Sequence, residues 1–105
     1  MVTQQFDVFK NTRNTGQFPF LLLVQHDLLS ALPVRVVIPL APQSAIAHRP
    51  ISRLNPVFEI GGTTTVMLTQ LLGAVPTLSL GKRVTNLSGR RTEIIGALDI
   101  LISGI

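Results

Sequence analysis

The stretch Thr92-Glu93-Ile94-Ile95-Gly96-Ala97-Leu98-Asp99-Ile100-Leu101-Ile102 has the periodicity of an amphipathic helix. At about 100° per residue, its large apolar residues fall on one stripe, which comprises Ile94, Ile95, Leu98, Leu101 and Ile102. Gly96, Asp99 and Ser103 fall together on the opposite side. A helix that packs one face normally presents long charged side chains on the other. The small, weakly charged outer face therefore predicts a contact with another macromolecule.

Capping residues mark both ends of this helix. Ser88 is a credible N-cap, because its hydroxyl can accept a hydrogen bond from a free amide of the first turn. The terminal Ser103-Gly104-Ile105 has two interpretations. With Gly104 at C′, Ile105 and Ile100 occupy the two positions that meet in a Schellman cap. Alternatively, the terminal residues form a binding tip.

Short segments with strand-like patterns precede the helix. They are Gln5–Lys10, Phe18–Gln25, Val34–Leu40, Val57–Ile60, Thr64–Thr69 and Pro76–Leu80. The second segment is apolar on both sides, which predicts burial on both faces, and Pro39 should limit ladder pairing in the third. Gly61-Gly62-Thr63 predicts a hairpin, and a helical turn is expected near residues 43–47. The sequence thus predicts a mainly β fold, a bent sheet or partly closed barrel with one long C-terminal helix.

The composition indicates one small domain with an incompletely polar surface. The chain has 105 residues, 46% of them hydrophobic and 13% charged, and we interpret residues 1–105 as a single domain. The charged fraction is about half of the usual ~25%. Because a domain of this size leaves much of its surface exposed, a homodimer is the simple way to cover the apolar area. The lack of cysteine excludes disulfides and thiolate metal sites.

The charge balance leaves the partner open. Nine Lys and Arg against five Asp and Glu give a net charge of +4, and the basic residues are scattered. They suit nucleic acid, an acidic protein or a solvated surface equally. The N-terminus has no basic segment followed by an apolar core, and no apolar run reaches the ~20 residues of a membrane span. We therefore expect a cytoplasmic protein without a membrane segment.

Groups suited to catalysis are sparse. His26-Asp27 is the one adjacent pair of that kind, and a surface turn is the preferred interpretation, because neighbours on an extended chain point in opposite directions. Two His and five carboxylates form no cluster with ligand spacing. Gly61-Gly62 lacks the Lys and the helix start of a phosphate-binding loop. We expect no enzyme activity, no metal and no cofactor.

Several short motifs, in their order along the chain, resemble the CcdB family, the toxins of CcdAB toxin–antitoxin modules. The resemblance covers nearly the whole length of the chain. It rests on the order and spacing of the motifs, since no single motif is diagnostic. The motifs are Val24-Gln25 followed by Asp27, Val37-Ile38-Pro39-Leu40, Pro56-Val57 with Ile60, Met67 and Thr69, Val75-Pro76, Leu87-Ser88 with Arg90, then Ile94, Ala97 and Gly104-Ile105.

The resemblance implies a homodimer of SH3-like small barrels, each with a C-terminal helix. It also implies a toxin that performs no catalysis, binds the A subunit of DNA gyrase and traps the enzyme on cleaved DNA. A CcdA-like antitoxin with an acidic disordered segment would neutralise it. Operator DNA would be bound only by the toxin–antitoxin complex.

The resemblance also assigns residues to two surfaces. The gyrase-binding surface comprises Leu28, Leu29, Asp99, Ile102, Ser103, Gly104 and Ile105. The antitoxin-binding surface comprises Arg13, Asn14, Ala45, Ile46, His48, Arg49 and Arg53. The cations of the second surface suit an acidic disordered segment.

Three positions depart from the family pattern. Ser103 stands where family toxins often carry a bulky aromatic, Leu23 replaces an acidic residue and His26 replaces a small polar one. Serine cannot bury the area of a Trp ring or stack on a guanidinium, which puts the affinity for gyrase in question.

Two other functions stay open: an endoribonuclease of the MazF or Kid type, and a CcdB homologue that is not toxic and retains only antitoxin binding.

Overall fold

Strands form most of the regular structure, and one helix follows them. The computed structural model describes residues 2–13 and 17–104. The strands are β1 (Asp7–Asn11), β2 (Phe20–Leu23), β3 (Val34–Pro42), β4 (Val57–Ile60), β5 (Thr63–Met67), β6 (Gly73–Pro76) and β7 (Leu80–Asn86), and the helix α1 spans Arg91–Ser103. The predicted mainly β fold with a C-terminal helix is confirmed. Within the described residues, no helix is long and apolar enough to cross a membrane.

The strands form one antiparallel sheet that curls into a half-barrel around β3. The order is β4-β5-β3-β2-β1-β7, and β6 also pairs with β3. One edge of β3 pairs with β2, while the other pairs with β6 over residues 34–37 and with β5 over residues 40–42. Because two strands share one edge of β3 at different ends, the sheet divides there and bends.

Pro39 does not limit pairing as predicted, since β3 continues to Pro42. Pro39 lies opposite Leu21 of β2, and its carbonyl accepts a hydrogen bond from the Leu68 amide at 3.0 Å. The residue falls between the part of β3 that pairs with β6 and the part that pairs with β5. A missing N–H is tolerated there because the ladder on that edge is already interrupted.

The predicted hairpin is confirmed, whereas the strand predicted over Pro76–Leu80 is wrong. β4 and β5 pair around a turn in which Gly61 and Gly62 both have positive φ. Residues 77–79 instead form a 3₁₀ turn, and β7 follows it. β7 escaped prediction because it is an edge strand with Lys82 and Arg83 exposed, so it lacks the apolar alternation of a half-buried strand.

Apolar side chains are buried on both faces of the central strands. The larger cluster lies between the sheet and α1 and comprises Phe6, Val8, Leu22, Val24, Ile38, Leu40, Phe58, Ile60, Met67, Ile94 and Ala97. The smaller cluster comprises Phe9, Leu21, Leu23, Val37 and Leu80. Since successive side chains of a strand alternate, Leu22 enters one cluster while Leu21 and Leu23 enter the other. Burial of the second strand on both faces is confirmed.

The helix begins later than the sequence predicts. Ser88 opens a 3₁₀ turn, Ser88–Arg90, and the N-cap of α1 is Arg90, which makes no side-chain capping bond. Arg90 instead pairs with Glu93, and its guanidinium carbon lies 4.7 Å from the centroid of the Phe58 ring. The ion pair and the cation–π contact offset the unfavourable placement of a cation at the positive end of a helix.

The buried face of α1 is rotated from the predicted stripe. Ile94 and Ala97 are buried, and Ile95 and Leu98 pack against the core, whereas Ile102 is 80% exposed. The helix approaches the sheet through the small Ala97, which lies about 60° around the axis from Ile94, on the side away from Ile102. A pattern built from large apolar residues alone misses this contact, and the assignment of Ile102 to the packed stripe is wrong.

Gly81 of β7 lies against β1 at a distance that admits no side chain. A Cβ at this position would lie 2.8 Å from the Lys10 carbonyl oxygen. We expect Gly81→Ala to lower the free energy of unfolding by about 1–3 kcal/mol, because backbone atoms must move apart. Gly96→Ala is the matched control, because a Cβ at Gly96 would enter open space. This change should raise the free energy of unfolding by up to about 1 kcal/mol, because alanine has a higher helix propensity than glycine. Urea denaturation measures both, and equal effects would contradict the steric argument.

Asp7 is a buried carboxylate that its neighbours hold in the charged form. Its Oδ1 accepts hydrogen bonds from Arg83 Nε at 2.7 Å and Asn86 Nδ2 at 2.9 Å, and its Oδ2 accepts one from the Gln4 amide at 2.9 Å. Burial alone raises the pKa of Asp7. The hydrogen bonds and the charge of Arg83 outweigh burial, and the pKa lies below its ordinary value of 3.8.

Because the pKa of Asp7 is lowered in the folded chain, the free energy of unfolding should depend on pH in the acidic range. The charged carboxylate stabilises the fold above its unfolded-state pKa, and this contribution is lost as the pH falls through the folded-state pKa, because the unfolded chain binds the proton more tightly. The unfolding free energy of the wild-type chain should therefore fall more steeply than that of Asp7→Asn between about pH 5 and pH 2. Chemical denaturation at each pH measures both curves. Parallel curves would rule out this contribution of Asp7.

Candidate functional site

The last turn of α1 is open to solvent. The exposed residues are Asp99, Ile102, Ser103 and Gly104. Gly104 has a φ of 77°, and its N–H donates to the carbonyl of Ile100 at 3.0 Å, which ends the helix with a left-handed cap. Ile105, the predicted Schellman partner, lies outside the described residues. A helix cap and an exposed tip are therefore present together.

The hydroxyl of Ser103 is used within the helix. Its Oγ donates to the carbonyl of Asp99 one turn earlier, at 2.7 Å. The described part of the tip consequently presents one carboxylate, from Asp99, and one large apolar side chain, from Ile102. Such a surface can contribute apolar contact and directional hydrogen bonds to a partner.

Leu28 and Leu29 lie on a separate turn that His26 and Asp27 stabilise. The turn is a 3₁₀ helix, Asp27–Leu29, in which His26 Nδ1 accepts from the Leu28 amide at 3.0 Å. Asp27 Oδ1 accepts from the Gln5 amide at 2.6 Å. Leu28 is 86% exposed and Leu29 is 50% exposed. The interpretation of His26-Asp27 as a surface turn is confirmed.

Gln5 connects this turn to the beginning of α1. Its backbone amide donates to Asp27 Oδ1, and its side-chain Oε1 accepts from Arg91 Nη1 at 3.1 Å. Ser103 lies at the other end of the helix, about 18 Å from Arg91 at 1.5 Å per residue. The two parts of the surface predicted to bind gyrase are therefore associated with opposite ends of α1.

Buried polar side chains support the turn from inside the subunit. Gln25 Nε2 donates to the carbonyl of Leu29 at 3.1 Å, and Arg35 Nη2 donates to the carbonyl of Ser30 at 2.9 Å. The sequence analysis treats Arg35 only as one of several scattered cations. Its position inside an otherwise apolar strand is the signal that could have identified it.

The predicted antitoxin surface is mostly exposed. The exposed members are Arg13, Ala45, His48, Arg49 and Arg53, while Ile46 is half-buried. Asn14 lies outside the described residues. Ala45 ends a 3₁₀ turn, Gln43–Ala45, which confirms the helical turn predicted near residues 43–47. Most of this surface belongs to the connection between β3 and β4, and Arg13 follows the end of β1.

Two open grooves flank the outward side of α1. The first has a volume of about 430 Å³ and is lined by Arg53, Pro56, Thr92, Glu93 and Gly96. The second has a volume of about 370 Å³ and is lined by Arg91, Thr92, Ile95, Gly96 and Asp99. Gly96 borders both grooves, and no atom outside the adjacent residues and the neighbouring helix backbone lies within 4 Å of the position its Cβ would take. The small outer face expected from the periodicity is therefore accessible.

The chain matches a known protein family over nearly its whole length. The family model described as CcdB protein matches residues 5–104, which include strands β1 to β7, the Leu28–Leu29 turn and α1. The resemblance found in the sequence is confirmed. Because the match covers nearly the whole chain, this chain belongs to the CcdB family, the toxins of toxin–antitoxin modules.

Proposed function

We propose that this protein is the toxin of a type II toxin–antitoxin module that binds the DNA gyrase A subunit and traps the gyrase–DNA cleavage complex. The exposed and nearly uncharged end of α1 is the observation that carries the proposal, because Ile102 lies in solvent instead of in the core. Membership of the CcdB family, whose members poison gyrase, supports the same target. We place the toxin in the cytoplasm, where gyrase acts, and treat residues 1–105 as one toxin domain.

The proposed gyrase surface combines Leu28 and Leu29 with Asp99, Ile102, Ser103, Gly104 and Ile105. Burial of one Leu or Ile side chain contributes about 1.5–3 kcal/mol, so two highly exposed side chains, Leu28 and Ile102, can supply much of the affinity. A usual interface covers about 800 Å² on each partner and is thus roughly 30 Å across. That width accommodates segments from both ends of α1.

Trapping requires binding and no chemical step by the toxin. A ligand shifts an enzyme toward the state that it binds more tightly, so the toxin must bind the gyrase that holds cleaved DNA better than resting gyrase. None of the residues in the proposed surface needs to transfer a proton or coordinate a metal. We therefore propose that the protein is not an enzyme and uses no cofactor.

A homodimer is part of the proposal. Exposed apolar side chains occur together around β6, where Val34 of β3 pairs with Pro76, and Leu72 and Leu78 flank the strand. Contact between two copies would remove this apolar surface from water. We therefore propose that the area around β6 takes part in the contact between the two copies.

An acidic, disordered CcdA-like antitoxin is the proposed second partner. It would bind the exposed residues of the segment from 45 to 53, together with Arg13 and Asn14. Arg49 and Arg53 are exposed cations on this segment, and the chain as a whole carries a net charge of +4. Opposite charges steer and orient such a segment as it folds on the toxin. Operator DNA would be bound by the complex of the two proteins only.

Regulated expression in two host strains tests the proposed target. Expression should stop growth in a host with wild-type gyrase A and should have no effect in a host whose gyrase A is altered at the toxin-binding site. Purified protein should leave RNA intact in the absence of ribosomes, which distinguishes it from an endoribonuclease. Equal killing of both hosts, or cleavage of RNA, would contradict the proposal.

Ser103→Trp should tighten binding to a gyrase A fragment. Ser103 is exposed and its hydroxyl bonds only within the helix, so an indole can replace it without disturbing the core. The added aromatic area should lower the Kd about tenfold in a calorimetric titration. Ser44→Trp, at an exposed position in the Gln43–Ala45 turn, is the matched control and should leave the Kd unchanged. No change with Ser103→Trp, or the same gain with both variants, would argue against stacking at the tip.

A further inference from the structure

One buried arginine binds the loop that presents Leu28 and Leu29. Arg35 lies in β3 and is 5% exposed. Its Nη2 donates to the carbonyl of Ser30 at 2.9 Å, and its Nη1 donates to the carbonyls of Leu32 and Val34 at 2.5 and 3.0 Å. A single guanidinium therefore binds two carbonyl oxygens of the segment between β2 and β3 and one from the first residue of β3.

Backbone dipoles, and no carboxylate, compensate this buried charge. The ion pairs found among the described residues are Arg83–Asp7 and Arg90–Glu93, and neither includes Arg35. A buried cation needs close polar partners. The carbonyls of Ser30, Leu32 and Val34 supply them, together with the hydroxyl of Thr3, whose Oγ1 accepts from Arg35 Nε at 3.4 Å. Conversely, carbonyl oxygens that converge repel one another unless a cation lies between them. The loop conformation and the position of Arg35 thus depend on each other.

Gln25 ties a second part of the same loop to the sheet. It is 8% exposed, its Nε2 donates to the carbonyl of Leu29 at 3.1 Å, and its Oε1 accepts from the Val36 amide at 3.1 Å. The exposed leucines have little core packing of their own to hold them. Hydrogen bonds from buried side chains therefore help to fix the position of these leucines, together with the bonds that His26 and Asp27 accept.

We propose that Arg35, assisted by Gln25, is a positioning residue that holds Leu28 and Leu29 in the conformation that binds gyrase. The proposal rests on the proposed function, because that function assigns the two leucines to the gyrase surface. Arg35 is buried and does not touch the partner. It acts through the loop carbonyls.

The hydrogen bonds at position 35 require a planar guanidinium, whose donors point in fixed directions, as well as a positive charge. Lys retains the charge, but its three donors radiate from one nitrogen, so it cannot reproduce the directions in which the guanidinium donates. Arg35→Lys should therefore let the loop sample several conformations. If the fraction of chains whose loop has the binding conformation falls to about one in ten, the apparent Kd for the partner rises about tenfold.

A double-mutant cycle on the whole chain, titrated against a gyrase A fragment, tests the proposal. Arg35→Lys should raise the Kd about tenfold in the wild-type background and by less than about twofold when Leu28 and Leu29 are both alanine, since the side chains that it positions are then absent. Lys82→Arg, the reverse charge-retaining exchange at an exposed position of β7, should leave the Kd unchanged. An equal rise of the Kd in both backgrounds would overturn the proposal.

Native-state hydrogen exchange gives a second measurement that needs no partner. The amides of Leu29, Ser30 and Leu32 donate to carbonyls within the loop. In Arg35→Lys they should exchange about tenfold faster, while the amides of β2 exchange as in the wild type. Unchanged exchange of the loop amides would overturn the positioning role.

The two measurements separate this proposal from the proposed function. If the wild-type chain does not bind the gyrase fragment, the proposed function fails, and the exchange rates still decide whether Arg35 holds the loop. If Arg35→Lys does not fold, Gln25→Asn replaces it, because the side chain shorter by one methylene loses the reach to the Leu29 carbonyl. Faster exchange at Leu29 in a folded Gln25→Asn chain is the expected result, and wild-type rates there would overturn the proposal.

Discussion

The pairing of β2 with β3 is the contact on which the rest of the subunit depends. It runs from Phe20↔Leu40 to Leu23↔Val37, and its side chains alternate between two apolar clusters. One cluster receives α1, and the other lies on the opposite face of the sheet. Because β3 is long, its second edge also holds β5 and β6, which bend the sheet. Loss of this pair would remove the support of the helix and of both flanking strands.

The subunit places several polar groups inside and several large apolar groups outside. Asp7, Gln25 and Arg35 are buried, and each is satisfied by hydrogen bonds that determine the course of a neighbouring segment. Leu28 and Ile102 are exposed. Buried polar groups with complete hydrogen bonding specify one conformation, and exposed apolar groups gain free energy only when a partner covers them. The distribution suits a protein whose activity is binding.

Local patterns predicted the elements well and their orientation less well. The strand patterns located β1 to β5, and Gly61-Gly62 located the hairpin, because alternation and turn chemistry act over a few residues. β6 and β7 were missed, β7 because its exposed cations hide the alternation. The helix was found, but Ile102 was assigned to the packed face. Its exposure depends on the contact of Ala97 with the sheet, and a pattern of large apolar residues cannot show that contact.

Residue patterns alone were sufficient to predict a run of strands, β1 to β5, followed by one C-terminal helix, the burial of β2 on both faces and the resemblance to the CcdB family. Each of these follows from residue types and spacing within a short window or from the order of motifs. The packing in three dimensions was needed to show that Ile102 of α1 is exposed, how β3 shares its edge, and that Arg35 binds the loop carbonyls. These features depend on the packing of one element against another, and the direction of a side chain there is set by its neighbours in space.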